Sequence, residues 1–259
     1  MGLKLDMNKS AQALQFSLEK KGVNVGNLRA EVAIDFDVSG SYEGEHRGGQ
    51  TQQLLTRLVP WGLVFDPDKQ LDVFTFSDGP GHVHHVGMVT PANCDGFIKR
   101  EIIDIVPGWN GGTDYSHVLE ANLKTFGWIG GGEQQVAKQG GGFLGRVFGQ
   151  KPAPQVVVPV ARRRSLVLFN TDGGNSDRDR TMRILEESEK RKDEIYFLFI
   201  AYADPRRRPD FSFLNEIGDR FGNTGTVVIT DLEKFTNLPD EQLNEQLLGD
   251  ELVGWLKAS

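Results

Sequence analysis

One stretch, VAIDFDVSGS at residues 32–41, organises this chain. Its apolar residues favour a buried strand over about residues 30–37. The strand ends in the carboxylate of Asp37, which two small hydroxyl residues follow, Ser39 and Ser41. Carboxylate and hydroxyl oxygens are hard donors of the kind that bind Mg²⁺ or Mn²⁺. Taken alone, the stretch is equally consistent with a turn that caps the next helix.

The composition argues against several classes of protein. The chain has 259 residues, a net charge of −7 and a single cysteine, Cys94. An acidic balance argues against nucleic acid as the main ligand, because that role usually needs a basic face. One cysteine excludes an internal disulfide and fits a reducing compartment. No secretory signal and no apolar stretch of bilayer length is visible, so we expect a cytoplasmic protein without a transmembrane segment.

Strands alternate with helices along the chain. The further strands are predicted at about 71–77, 82–89, 165–171, 195–203 and 226–230, and the helices at about 8–21, 51–65, 94–105, 115–126, 177–192, 211–221 and 240–257. This alternation predicts an α/β fold in which a mostly parallel sheet is covered by helices on both faces. Residues 128–164 break the pattern with two glycine triplets and several prolines, and we interpret them as a flexible Gly-rich insertion.

Two later loops carry further oxygen donors. Thr113 lies in GGTD at residues 111–114, and Asp172 lies in TDG at residues 171–173. In a sheet of this kind, ligands bind outside the carboxyl ends of the strands, near the point where the strand order reverses. With the first loop, these residues offer two carboxylates and three hydroxyls for an octahedral shell that water would complete. The sequence therefore predicts one cation site built from three loops.

The order D-x-S-x-S, then Thr, then Asp resembles the metal-ion-dependent adhesion site (MIDAS) of the von Willebrand factor A (vWA) domain. The resemblance covers about residues 29–259 and leaves residues 1–28 as an N-terminal helical arm. It implies a doubly wound sheet with one antiparallel edge strand. It also implies that Ser39, Ser41 and Thr113 bind the cation directly, and that Asp37 and Asp172 bind it directly or through water. The implied cation is Mg²⁺, with Mn²⁺ or Ca²⁺ as alternatives.

Several short segments are similar to the intracellular vWA branch seen in tellurium-resistance TerF-like proteins and copines. They are QQLLTRLVP (52–60), FDPD (65–68), LDVF (71–74), GTDY (112–115) and LVGWL (252–256). This similarity implies a cation-dependent protein-interaction module rather than an enzyme, with a loose link to tellurite or chemical stress. The partner would be a protein that presents an Asp or Glu to an open coordination position.

Four residues near the motif receive supporting roles. Tyr42 replaces the Met that is common after the second serine in the family, and we expect it to contact the partner together with Gly173. Asp35 would point to the same side of the strand as Asp37. We expect Asp35 and Asp114 to orient the ligands or their waters without touching the cation.

An enzymatic alternative rests on Asp35. The sequence Asp35-Phe36-Asp37 resembles the D-x-D of haloacid-dehalogenase-type phosphatases, in which the first carboxylate accepts a phosphoryl group beside Mg²⁺. A Mg²⁺-dependent phosphatase that uses Asp35 and Asp37 would leave the hydroxyls of Ser39, Ser41 and Thr113 unexplained. We therefore favour the binding module.

Two further clusters admit a functional interpretation. His82, His84 and His85 suggest a transition-metal site, although an exposed edge strand explains them without a ligand. The basic runs at 162–164 and 206–208 would suit a phosphate, although solvated turns explain them equally well in an acidic protein. A weak anionic partner stays open as an alternative.

Overall fold

The computed structural model describes residues 2–130, 133–134, 158–159, 161–202 and 210–258. Within these residues, six strands form one sheet in the order β3-β2-β1-β4-β5-β6. Every neighbouring pair is parallel except β2 and β3, which are antiparallel. The strands are β1 Glu31–Asp37, β2 Leu71–Phe76, β3 His84–Val89, β4 Ser165–Thr171, β5 Ile195–Tyr202 and β6 Thr224–Ile229. The predicted sheet, mostly parallel with one antiparallel edge strand, is confirmed.

Helices cover both faces of the sheet, as predicted. One face packs against α1, α3, α4, α8, α9 and α10, and the other packs against α5, α6 and α7. The bounds of the described helices are α1 Gly2–Lys20, α2 Glu43–Arg47, α3 Gln50–Phe65, α4 Phe97–Glu101, α5 Ser116–Thr125, α6 Arg178–Arg191, α7 Ser212–Arg220, α8 Leu232–Thr236, α9 Asp240–Leu247 and α10 Asp250–Lys257.

The central strands are apolar along most of their length because both of their faces are covered. All seven residues of β4 are buried. In β1, Val32, Ile34 and Phe36 enter the core on the α3 side, whereas Ala33 enters the core on the α5 side. Continuous apolar runs of this kind are typical of parallel strands between two helical layers.

Helix α1 contributes to the main core. Its side chains Met7, Leu14 and Leu18 are buried in the same cluster as Leu54 and Leu58 of α3. The residues predicted as an N-terminal arm therefore pack directly on a helix of the predicted vWA domain. The helix also begins earlier than the predicted residue 8, at Gly2.

Several element bounds differ from the prediction. The predicted C-terminal helix at 240–257 is two helices, α9 and α10, because Gly249 takes an extended backbone conformation with ψ of 162°. The helix predicted at 94–105 is reduced to α4, and α2 occupies part of the predicted loop at 43–49. Helix α3 continues through Pro60.

Most of the predicted insertion at 128–164 lies outside the described residues. In its described part, Glu133–Gln134 pairs with Val158–Pro159 as two short antiparallel strands. The prediction of flexibility therefore stays a prediction.

Candidate metal centre

The first two predicted loops meet at the carboxyl end of β1. Gly40 donates its N–H to the carbonyl of Gly111 at 3.0 Å, and Asn110 donates its N–H to the carbonyl of Val38 at 2.9 Å. Strand β1 lies between β2 and β4, where the strand order reverses. The site therefore lies where ligands bind in doubly wound sheets.

The third loop joins the second through the backbone. Ser176 donates its N–H to the carbonyl of Thr113 at 2.9 Å. A β-carbon placed on Gly174 would lie 3.7 Å from Thr113 Oγ1 and 3.9 Å from Asp172 Oδ1. Two predicted ligands, Thr113 and Asp172, thus flank the same small space, and Gly174 has no side chain to fill it.

The Asp37 carboxylate is fully buried and held from both sides. Its Oδ1 accepts the Ser39 N–H at 2.8 Å, and its Oδ2 accepts the Thr171 hydroxyl at 2.9 Å. Burial and the neighbouring Asp172 carboxylate raise the pKa of Asp37 to about 7, although both hydrogen bonds oppose the rise. A bound cation would favour the charged form, since an opposite charge nearby lowers a carboxyl pKa.

The hydroxyl residues among the predicted ligands differ in exposure. Ser39 Oγ and Ser41 Oγ are 3.1 Å apart. Ser39 and Thr113 are buried, whereas Ser41 and Gly174 are exposed. The exposed residues Ser41 and Gly174 therefore mark the solvent-facing edge of these loops.

The donors fit a hard divalent cation. Neighbouring ligands of an octahedral Mg²⁺ with bonds of about 2.1 Å would be separated by about 3 Å. The spacing of 3.1 Å between the Ser39 and Ser41 hydroxyls matches this separation. Since all five predicted ligands present oxygen, the set favours Mg²⁺ or Mn²⁺ over softer transition metals.

His46 supports Asp37 through the backbone, a role the sequence did not indicate. Its Nε2 lies 2.8 Å from the Asp37 carbonyl, and its Nδ1 lies 3.0 Å from Thr51 Oγ1. Burial lowers the pKa of His46 to about 4, so the ring is neutral at pH 7. Because a carbonyl only accepts, Nε2 carries the proton and Nδ1 accepts from Thr51.

Tyr42 and Gly173, the predicted partner contacts, both lie inside the protein. Tyr42 is 1% exposed, and its ring packs on His46 with a centroid distance of 5.2 Å. Gly173 is buried at a φ of 96°, and a β-carbon there would lie 2.6 Å from the Phe211 ring. Both residues are buried in this structure, and their contact with a partner stays a prediction.

Asp35 lies between the sheet and α5. It is fully buried, and its Oδ2 accepts the Asn122 side-chain amide at 2.6 Å. Asn170 donates its side-chain amide to the Asp35 carbonyl at 3.1 Å. Burial raises the pKa of Asp35 well above its usual range. Asp35 shares its face with Asp37 as predicted, but its described side-chain hydrogen bond goes to α5 rather than to a ligand loop.

Asp114 belongs to a second group of acidic and imidazole side chains. Asp114, His117 and Asp177 each place one potential ligand atom within 4.8 Å of the others. Asp114 accepts the Gly79 N–H at 2.9 Å, and Asp177 accepts the Tyr115 N–H at 3.0 Å. We interpret this group as a structural cluster that holds the loops around Thr113, because the carboxylates of Asp114 and Asp177 already accept hydrogen bonds from backbone amides.

The basic run at 162–164 makes structural contacts. Arg163 pairs with Glu31 at 2.9 Å and donates to the Thr125 carbonyl at 2.8 Å. Arg164 lies 3.9 Å above the centroid of the Trp255 ring. These contacts explain the two arginines without an anionic ligand. The run at 206–208 lies outside the described residues.

The three histidines at the sheet edge do not share a ligand site. His82 lies 3.2 Å from Asp78, and His85 lies 2.8 Å from Asp72 and stacks on Phe74. His84 is exposed at the start of β3. Separate carboxylate partners agree with the interpretation of an ordinary edge strand.

Comparison with known proteins identifies the family. The model of the vWA domain found at the C terminus of TerF matches residues 29–259. The chain belongs to this vWA-TerF-like family. The predicted resemblance is thereby confirmed. No curated protein matches the chain.

Solved structures resemble this vWA-TerF-like chain at low identity. Proximal thread matrix protein 1 from the mussel byssus has 16% identity and a TM-score of 0.48, over 85% of this chain and 48% of that chain. A form of that protein with a zinc-occupied MIDAS motif has 15% identity and a TM-score of 0.46, over 85% and 47%. Pilus adhesin SpaC from Lactobacillus rhamnosus GG has 12% identity and a TM-score of 0.47, over 85% and 31%. The chain thus spans half or less of the length of these proteins.

Among the described residues, no helix combines the length and apolar character needed to span a bilayer.

Proposed function

We propose that this vWA-TerF-like domain is a cation-dependent protein-interaction module. The backbone contacts between the three loops that carry Asp37, Ser39, Ser41, Thr113 and Asp172 support the proposal. Their role as ligands stays a prediction. A bound Mg²⁺ or Mn²⁺ would supply a Lewis-acid position that accepts an Asp or Glu side chain from a partner.

Hydrogen bonds within the protein support the Asp37 carboxylate and its backbone. Hydrogen bonds to both oxygens of Asp37 fix its carboxylate plane, and His46 fixes the backbone behind it. Pre-organised ligands bind more tightly because less conformational freedom is lost on binding. The exposed positions at Ser41 and Gly174 leave an approach for a partner side chain.

An ion-pair clamp at the rim holds two ligand loops together. Arg47 of α2 pairs with Asp104 through two nitrogens, at 3.0 and 2.6 Å, and with Glu43 at 2.6 Å. Asp104 lies on the segment that leads to Thr113. Since the pairs are exposed, each contributes little to stability, but the two-point geometry restricts the relative position of the loops.

The burial of Asp35 supports a binding role over the phosphatase alternative. A phosphoryl acceptor must reach its substrate, and the Asp35 side chain is closed in by the sheet and by α5. We therefore expect no turnover of phosphomonoesters by the purified protein. A role in tellurite or chemical stress and a cytoplasmic location belong to the proposal only through membership of the TerF-like family.

A pull-down with the full chain tests the interaction. The wild type should retain a partner in Mg²⁺ and release it in EDTA, and Asp37→Ala should retain none in either buffer. Asp66→Ala is the matched control, because Asp66 is a buried carboxylate that accepts the Val32 N–H at the opposite end of β1. A partner that stays bound to the wild type in EDTA, or to Asp37→Ala, would contradict the proposal.

A further inference from the structure

The hydroxyl of Thr171 forms a buried junction behind the proposed cation site. Its Oγ1 lies 2.9 Å from Asp37 Oδ2, 3.0 Å from the Tyr115 hydroxyl and 3.2 Å from the Gly173 nitrogen. Thr171 and Tyr115 are both fully buried. Neither residue is among the predicted ligands.

Counting protons and lone pairs fixes the direction of each hydrogen bond when Asp37 is ionised. A threonine hydroxyl has one proton to donate and two lone pairs that accept. An ionised Asp37 only accepts, so Thr171 gives its proton to Asp37. The Gly173 N–H only donates, so it takes one lone pair of Thr171. Tyr115 must then donate to the remaining lone pair, and all the capacity of the Thr171 hydroxyl is used.

Tyr115 connects this junction to the other two ligand loops. It follows Thr113 by two residues, and its N–H donates to Asp177 of the third loop at 3.0 Å. Its ring packs edge-on against Phe169 at a centroid distance of 4.9 Å. One rigid side chain thus links the backbone near Thr113 to the carboxylate of Asp37.

We propose that Tyr115 and Thr171 are positioning residues, whose hydroxyls form a relay that orients the Asp37 carboxylate for the cation. The inference rests on the proposed function, because it concerns the affinity of the same site. Asp37 Oδ1 is fixed by Ser39, so the relay supplies the second point that sets the carboxylate plane. Losing the Tyr115 hydroxyl leaves Thr171 held only by Gly173 and Asp37, so the Asp37 carboxylate is oriented less firmly and cation binding has to order it.

Calorimetric titration of the full chain with Mn²⁺ tests the relay. Tyr115→Phe and Thr171→Val should each weaken binding by about 10- to 100-fold, which is typical for residues that orient a ligand. Thr171→Ser keeps the hydroxyl and should bind within about threefold of the wild type. The matched control is Tyr196→Phe, because the buried Tyr196 hydroxyl donates to the Thr224 carbonyl at 3.0 Å, at the opposite end of the sheet.

The double variant separates a relay from a general loss of stability. Because Tyr115 acts through Thr171, adding Tyr115→Phe to Thr171→Val should weaken Mn²⁺ binding no further than Thr171→Val alone. Wild-type affinity in Tyr115→Phe, or equal weakening by Tyr196→Phe, would overturn the relay while leaving the site in place. If the wild type binds no Mn²⁺, the proposed function and the relay both fail. If Thr171→Val does not fold, the Mn²⁺ affinity of Tyr115→Phe compared with that of Tyr196→Phe decides whether the relay exists.

Discussion

The Asn122 amide donates to Asp35 at 2.6 Å, which ties the carboxylate of β1 to helix α5. This relationship separates Asp35 from Asp37, which lies two residues later on the same face of the strand and joins the ligand loops. The two aspartates should therefore respond differently to the same substitution.

We expect Asp35→Asn to bind Mn²⁺ within about threefold of the wild type and to keep its free energy of unfolding within about 1 kcal/mol, since an amide has the same shape. Asp37→Asn should lose Mn²⁺ binding. Titration calorimetry and urea unfolding measure both quantities. If Asp35→Asn loses the cation, Asp35 supports the ligands as the sequence suggested.

Cation affinity should depend on pH through Asp37. Its pKa, raised to about 7, means that a proton competes with the cation below that pH. Without a cation, the raised pKa means that Asp37 binds a proton more tightly in the folded state than in the unfolded state. The resulting stabilisation is complete below the ordinary carboxyl pKa and is lost as pH rises through 7. Mn²⁺ affinity should therefore fall about tenfold per pH unit below 7 and level off above it. An affinity that stays constant from about pH 5.5 to pH 8 would exclude proton competition at Asp37.

The adjacent glycines of the third loop should tolerate alanine differently. At Gly173 a β-carbon would lie 2.6 Å from the Phe211 ring at a φ of 96°, so Gly173→Ala should cost about 1–3 kcal/mol in the free energy of unfolding. At Gly174 the nearest atom would be 3.7 Å away, so Gly174→Ala should cost less than about 1 kcal/mol. Urea unfolding of the two variants compares them, and equal losses would contradict this account of the loop.

The basic run should matter for stability and not for binding. Arg163→Ala removes the pair with Glu31 and the bond to the Thr125 carbonyl, so we expect a loss of about 1–2 kcal/mol in the free energy of unfolding. Mn²⁺ affinity should not change. If the wild type binds a polyanion in a salt-dependent way and Arg163→Ala abolishes that binding, the basic run would instead be a site for an anionic partner.

The sheet and the meeting of the three loops could be predicted from the sequence because both leave a local trace. Apolar runs mark the strands, and the ligand residues follow strands or sit beside glycines. The supporting residues leave no such trace. Thr171 lies beside Asp37 only because β1 and β4 pair in a register that sets Phe36 opposite Asn170. Pairing between strands more than 130 residues apart cannot be read from either segment alone.

The burial of Tyr42 was missed for a similar reason. An aromatic residue after two serines in a loop suggests an exposed contact, but the ring packs into a pocket that His46 of α2 helps to form. The sequence showed α2 only as a charged, Gly-rich segment. Short helices of this kind depend on tertiary packing, because five residues are too few to be stable alone.

Titration calorimetry of the metal-stripped chain with Mg²⁺ and Mn²⁺ tests the central claim most directly. We expect one site that binds the cation in the wild type and in Asp66→Ala, and we expect both Asp37→Ala and Thr113→Ala to abolish that binding. Asp37 and Thr113 lie on different loops. Cation binding that requires both residues would therefore show that the two loops form one site. Cation binding that survives both substitutions would contradict the account.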